Sequence, residues 1–133
     1  VSFGRAEPIW LSWRIVESIH FEQILQHGGS RGLRDKGLVE SALARPINKW
    51  QYEGADVFTL AAAYGFGIAK NHGFEDGNKR TAFVALYTFL GLNGYDLDAS
   101  EREVVSVMTA VADGTVDEEG LAEWVRAWAR ASP

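Results

Sequence analysis

Residues 72–80 read His-Gly-Phe-Glu-Asp-Gly-Asn-Lys-Arg and gather an imidazole, two carboxylates, two cations and two glycines in one short stretch. An apolar run follows, so a helix is expected to begin near Asn78. Its first turn then carries Lys79 and Arg80, although a helix N-terminus already bears a partial positive charge. A negative partner is needed, and a nucleotide's phosphate chain would supply it. The N–H groups from Gly77 to Lys79 would be the unpaired donors of the helix start, and Gly77 lets backbone approach a ligand closely. Lys79 would add a compact charge and Arg80 a planar fork suited to phosphate oxygens. Asp76, with Glu75 as a secondary candidate, offers a carboxylate to Mg2+ shared with those oxygens; Mg2+ commonly takes one or two protein carboxylates. His72 is the residue of the stretch whose type titrates near neutrality, and as a general base it would take the proton of an incoming hydroxyl. Such an arrangement implies transfer of a phosphorus-centred group from a nucleotide.

Each residue also has a plainly structural explanation. His72 shares a helical face with Ala61 and Ile68 and would serve as a buried histidine or a helix C-cap. Asp76 and Asn78 are N-cap types, Lys79 and Arg80 would be solvated, and Phe74 reads as a core anchor. The conjunction of all of them favours chemistry. The likeness of Gly73 to Thr81 to a P-loop is superficial, because the spacing differs and a helix rather than a strand precedes it.

The elements that must position this stretch read as helices. Pro8 suits a first turn, with Ile9, Trp13, Val16 and His20 at helical spacing and His27-Gly28-Gly29 as the stop. Ser30 to Arg34 reads as a loop. Asp35 to Ala44 reads as a short helix stopped by Pro46, and Ile47 to Gly54 as irregular, a small flap or hairpin. Asp56 is the expected N-cap of a helix whose buried stripe is Val57, Leu60, Ala61, Tyr64 and Ile68. The helix after Asn78 is apolar nearly all round and is expected at the centre of the bundle, ending at Asn93-Gly94. Ser100 with Glu103, and Thr115 with Glu118, read as capping boxes of the last two helices, the final one bearing Leu121, Trp124, Val125 and Trp128. No segment alternates long enough to need a sheet. The expectation is an all-α fold, a compact single domain spanning residues 1–133 with about six helices.

Composition agrees. The chain has 133 residues, 47% hydrophobic, with five Trp, enough for one ordinary core. A net charge of −5 makes direct DNA binding a poor expectation. The absence of cysteine excludes disulfides, thiolate catalysis and Cys-based metal sites. No apolar stretch has membrane-spanning length, and the N-terminus lacks a signal-peptide plan. Val1 in place of Met leaves open whether it is the native start.

His72 to Arg80 resembles the signature of the Fic/Doc family, H-x-F-x-[DE]-[GA]-N-[GK]-R, and agrees at every specified position. Lys79, where most Fic proteins have Gly, resembles the Doc (death on curing) branch of toxins. The segments 27–46 and 89–97 also look like their counterparts in that branch, so the resemblance extends over most of the chain. It implies a small helical bundle, His72 as the catalytic residue, Asp76 as the metal ligand, and Gly77, Asn78, Lys79 and Arg80 as the phosphate cradle, with ATP and Mg2+ as cofactors. It further implies a kinase of a toxin–antitoxin pair in the bacterial cytoplasm. That enzyme would phosphorylate a threonine of translation elongation factor Tu and arrest translation, and an antitoxin's C-terminal segment would cover the site. Arg45 to Tyr52 lies where the resemblance places a flap that docks the target backbone.

Two features depart from the Fic pattern. Phe83 stands where Fic proteins carry a second Arg, which disfavours adenylyl transfer and fits the Doc branch. Thr115 to Gly120 matches the letters of a self-inhibitory [ST]-x-x-x-E-[GN] motif, but Thr115 and Glu118 are already explained as a capping box. Adenylyl transfer (AMPylation) to a protein hydroxyl is the alternative chemistry. A non-catalytic binding module, using Trp124 or Trp128 as an apolar patch, is the alternative class.

Overall fold

The computed structural model describes residues 6–133; Val1, the questioned start, lies outside the described residues. Among them, the chain forms α1 (Trp13–His27), α2 (Lys36–Glu53), α3 (Val57–Asn71), α4 (Asn78–Leu92), β1 (Tyr95–Leu97), α5 (Glu101–Ala112), α6 (Glu118–Trp128) and β2 (Ala129–Ala131). The architecture is an all-α bundle of six helices, as expected. No described helix is long and apolar enough to cross a membrane.

The centre of the bundle is α3 rather than α4. It packs against α2, α4, α5 and α6, and Leu60 to Gly65 are buried in succession. The reason lies in its small residues. A Cβ added at Gly67 would stand 3.1 Å from the Ala42 Cβ of α2, and one at Gly65 would stand 2.9 Å from Leu86 of α4. Neighbouring helices therefore approach α3 more closely than larger side chains would allow. Helix α4 buries Ala82, Ala85, Leu86, Phe89 and Leu90, but Phe83 is half-buried and Tyr87 exposed, so one side faces out.

Pro46 does not stop α2. Its ring is fully buried, and Ala42, Leu43, Pro46 and Trp50 continue one helical face across it. An interior proline costs about 3 kcal/mol, which this apolar packing offsets. The helix runs on to a left-handed Gly54, whose N–H donates to the Lys49 and Trp50 carbonyls. The expected irregular flap at 45–52 is accordingly helix.

Three further expectations are corrected. Residues 8–11 are not helical, and α1 begins after Ser12, whose hydroxyl caps the Ile15 N–H. Asn93 ties this strap through both Ile9 backbone groups, and the buried Tyr64 hydroxyl accepts the Leu11 N–H at 3.0 Å. Ser100 does cap α5, but α6 is capped by Asp117, which accepts the Gly120 N–H at 2.7 Å. Thr115 is bonded to Asp113 instead, and Glu118 pairs with Arg45 of α2. Finally, β1 and β2 form a short antiparallel ribbon, Tyr95 opposite Ala131 and Leu97 opposite Ala129. Strands this brief carry no readable alternation.

Candidate active site

The stretch 72–80 connects the two most buried helices, and three local devices hold its course. Helix α3 ends because His72 takes up the left-handed conformation, φ 51° and ψ 48°, the only described non-glycine residue with positive φ. That geometry is costly for a side-chain-bearing residue and marks a functional or strained position. Gly73 follows beneath α2, where a Cβ would lie 2.3 Å from Val39 Cγ2, so nothing larger fits. Its carbonyl accepts from both Arg34 N–H and Asp35 N–H at 2.9 Å. Phe74 is buried and forms an isolated antiparallel bridge with Leu33.

Asn78 closes the loop. Its Oδ1 accepts the Phe74 N–H at 3.1 Å, and its Nδ2 donates to the Phe74 carbonyl at 2.9 Å. Those two bonds fix which way the amide faces. The remaining Nδ2 hydrogen meets His72 Nδ1 at 3.3 Å, so Nδ1 is the accepting nitrogen of that contact. The amide expected at a cosubstrate is thus turned inward. What Asn78 presents outward is its backbone N–H.

Helix α4 starts at a left-handed Gly77, φ 77°, with no side-chain cap. Neither Asp76 nor Asn78 plays the capping role that their types permit. The first intrahelical bond is Thr81 N–H to the Gly77 carbonyl, which leaves the N–H groups of Asn78, Lys79 and Arg80 unpaired within the helix. Lys79 and Arg80 are exposed, and no ion pair involves either among the described residues. An uncapped helix start with two exposed cations suits a phosphate group. His72 is exposed as well, so its imidazole is neither sealed off nor part of the core.

Asp76 is exposed, and its Oδ2 accepts the Ser30 N–H at 2.6 Å, while its other oxygen has no partner among the described residues. Glu75 is engaged by the Ser30 hydroxyl at 2.5 Å, and its N–H donates to Gly32. The described residues contain no group of three His, Cys, Asp or Glu able to cage a metal. A divalent ion held here would take Asp76 from the protein and complete its shell with phosphate oxygens and water. That donor set fits Mg2+.

The stretch expected from the sequence is therefore one continuous surface site. The structure adds residues that local reading passed over. The Arg34 guanidinium donates to the His72 carbonyl at 3.4 Å, and Ser30 binds both carboxylates. His20 reaches the Asp76 carbonyl from α1. The Asp35 cap and the adjoining glycines signalled a loop at 28–34, but nothing local showed that it lies on 72–76. Phe83 stacks on Tyr87 with ring centroids 6.1 Å apart, one turn beyond Arg80, so no second guanidinium stands there. Glu119 borders a cleft with Arg45, Lys49 and Phe66 in which residues 72–80 take no part.

A profile described as the Fic/DOC family matches residues 10–90, a range that includes the whole loop, α3 and most of α4. Toxin Doc of Mycolicibacterium smegmatis is 36% identical over 115 residues, covering 79% of this chain and 84% of that protein. Protein kinase doc of Escherichia phage P1 is 31% identical over 110 residues, covering 82% and 86% respectively. With more than half its length matched by that profile and two such relatives covered over most of their length, this chain belongs to the Fic/DOC family.

Proposed function

We propose that the chain is a Doc-like toxin that transfers the γ-phosphoryl group of ATP to a hydroxyl of a protein target. The observation that carries this reading is the exposed His72 beside an uncapped α4 N-terminus bearing the unpaired Lys79 and Arg80. A magnesium ion bound with the nucleotide would supply charge neutralisation to the phosphate oxygens. The free N–H groups of Asn78 to Arg80 and both cations hold those oxygens and stabilise the charge that spreads over them. Asp76 would hold the ion, its carboxylate oriented by the Ser30 N–H.

His72 takes the proton of the target hydroxyl as its oxygen bonds to the γ-phosphorus and the bond to the β-phosphate oxygen breaks, leaving ADP. A hydroxyl that hands its proton to Nε2 needs the tautomer with hydrogen on Nδ1. The long Asn78 contact therefore opens as the substrate docks. Phe83, half-buried and apolar, supports phosphoryl over nucleotidyl transfer, since the second Arg of the adenylyl-transferring Fic pattern is absent. The relative from phage P1 is named a protein kinase, which favours the same chemistry.

The target is inferred to be elongation factor Tu, with threonine as acceptor, and translation arrest as the consequence in the bacterial cytoplasm. A cognate antitoxin is inferred to cover the exposed site with its C-terminal segment. The test is incubation of the chain with Mg2+, ATP and candidate translation factors, followed by intact-mass measurement. A gain of one phosphate is expected; a gain of one nucleotide would select AMPylation, and no gain with any factor would remove the enzymatic reading. His72→Ala should reduce transfer on the order of 10²–10⁴-fold while the protein stays folded. Full transfer by that variant would take His72 out of the chemistry.

A further inference from the structure

Among the described residues, one buried histidine has no task in the proposed chemistry. His20 projects from α1 and is 4% exposed. Its ring lies flat on Phe74, with centroids 3.8 Å apart and planes at 9°. Its Nε2 stands 2.9 Å from the carbonyl oxygen of Asp76, 56 positions along the chain. A carbonyl only accepts, so Nε2 carries the hydrogen and donates it. A core filler would need no such partner, because an aliphatic side chain covers Phe74 without bringing a polar group into the interior.

We infer that His20 is a positioning residue for the site, acting through the Asp76–Gly77 peptide; this rests on the phosphate-cradle reading above. A trans peptide is planar, and its C=O and N–H point in opposite directions. Drawing the Asp76 carbonyl toward α1 therefore turns the Gly77 N–H away from α1. No hydrogen bond from that N–H is found among the described residues. The same anchor holds Gly77 left-handed at φ 77°, the geometry from which α4 starts uncapped. The corner is pressed onto α1: a Cβ at Gly77 would lie 3.1 Å from Ile24 Cδ1 and 3.8 Å from His20 Cδ2.

On its far side, the Asp76 carboxylate is held by the Ser30 N–H. His20 and Ser30 thus grip Asp76 at its backbone and at its side chain. Loss of the His20 bond frees the Asp76–Gly77 peptide to rotate. The N–H cradle and the carboxylate would then lose their common aim, and a displacement of about 1 Å in a reacting group can cost about 10²-fold.

Two variants separate the bond from the packing. His20→Phe keeps an aromatic ring over Phe74 and lacks the donor, whereas His20→Gln keeps an N–H donor and lacks the ring. His20→Phe is expected to lower kcat about 10²-fold with little change in KM for the protein target, and His20→Gln to recover most of it. Without any nucleotide, the backbone ¹⁵N order parameters of Gly77 and Asn78, measured by NMR relaxation, should fall in His20→Phe and stay near wild type in His20→Gln. Unchanged order parameters and kcat in His20→Phe would overturn the inference, as would a His20→Gln no better than His20→Phe. Should His20→Phe fail to fold, the wild type decides: a His20 Nε2–H resonance protected from solvent exchange supports the bond, and a freely exchanging one overturns it. If the wild type transfers nothing from ATP while the order parameters still follow the donor, the functional proposal fails and the positioning role stands.

Discussion

Asn78→Ala separates two roles that the sequence alone leaves merged. As a cosubstrate ligand, the amide would contribute to nucleotide binding and little to stability. The structure gives it a different task, since both of its polar atoms serve the buried Phe74 backbone. Truncation strands a buried N–H and a buried C=O. Each such group costs about 1–3 kcal/mol when left unpaired. Partial access of water to a surface loop places the total near 3 kcal/mol. For 133 residues the unfolding entropy is about 0.28 kcal/mol/K, so Tm should fall by about 10 °C.

Asn78→Asp is a useful companion. Its carboxylate still accepts the Phe74 N–H but repels the Phe74 carbonyl, and it should destabilise comparably. The assay is thermal denaturation by circular dichroism with nucleotide absent, so that binding contributes nothing. A fall of less than about 3 °C for Asn78→Ala, together with loss of the nucleotide-induced rise in Tm, would refute the loop-closing role and return the amide to the cosubstrate.

Further outcomes follow from other parts of the structure. Asp76→Asn keeps an oxygen for the Ser30 N–H, so stability should change by no more than about 0.5 kcal/mol in urea denaturation while the Mg2+ concentration needed for transfer rises. An unaltered Mg2+ dependence would remove Asp76 from metal binding. Burial opposes ionisation of Asp56, but the Thr59 N–H and Arg126 outweigh it and hold its carboxyl below the usual range. A depressed folded-state value means that the stabilisation is complete above the unfolded value of 3.8 and is lost as pH falls through the folded one. Asp56→Ala should therefore cost about 1 kcal/mol at pH 7, as a lost N-cap, and progressively less below about pH 4, measured by urea denaturation across pH. Leu60→Ala, in the first turn of α3 and fully buried, should cost about 3–5 kcal/mol in the same assay.

The sequence by itself determined what depends on near neighbours along the chain. The six helices, the Asp56 and Ser100 caps and the location of the site are all written in local spacing, because a cap acts over three residues and a helical stripe over a few turns. His72 to Arg80 is contiguous, so its residue types single it out as a candidate site before any tertiary contact is known. Only the tertiary structure decided what depends on who lies opposite. Pro46 is a stop signal until its ring has a core to enter. The helix after Asn78 looked central because it is apolar nearly all round in sequence, yet α3 holds the centre because its glycines and alanines admit α2 and α4 at close range. Asn78 was legible as a polar residue at a helix start, but only the course of the loop shows that Phe74 consumes its amide. His20 and Ser30 sit 56 and 46 positions from Asp76. Chain folding brings their donors to it, and no periodicity within α1 or the 28–34 loop encodes that meeting.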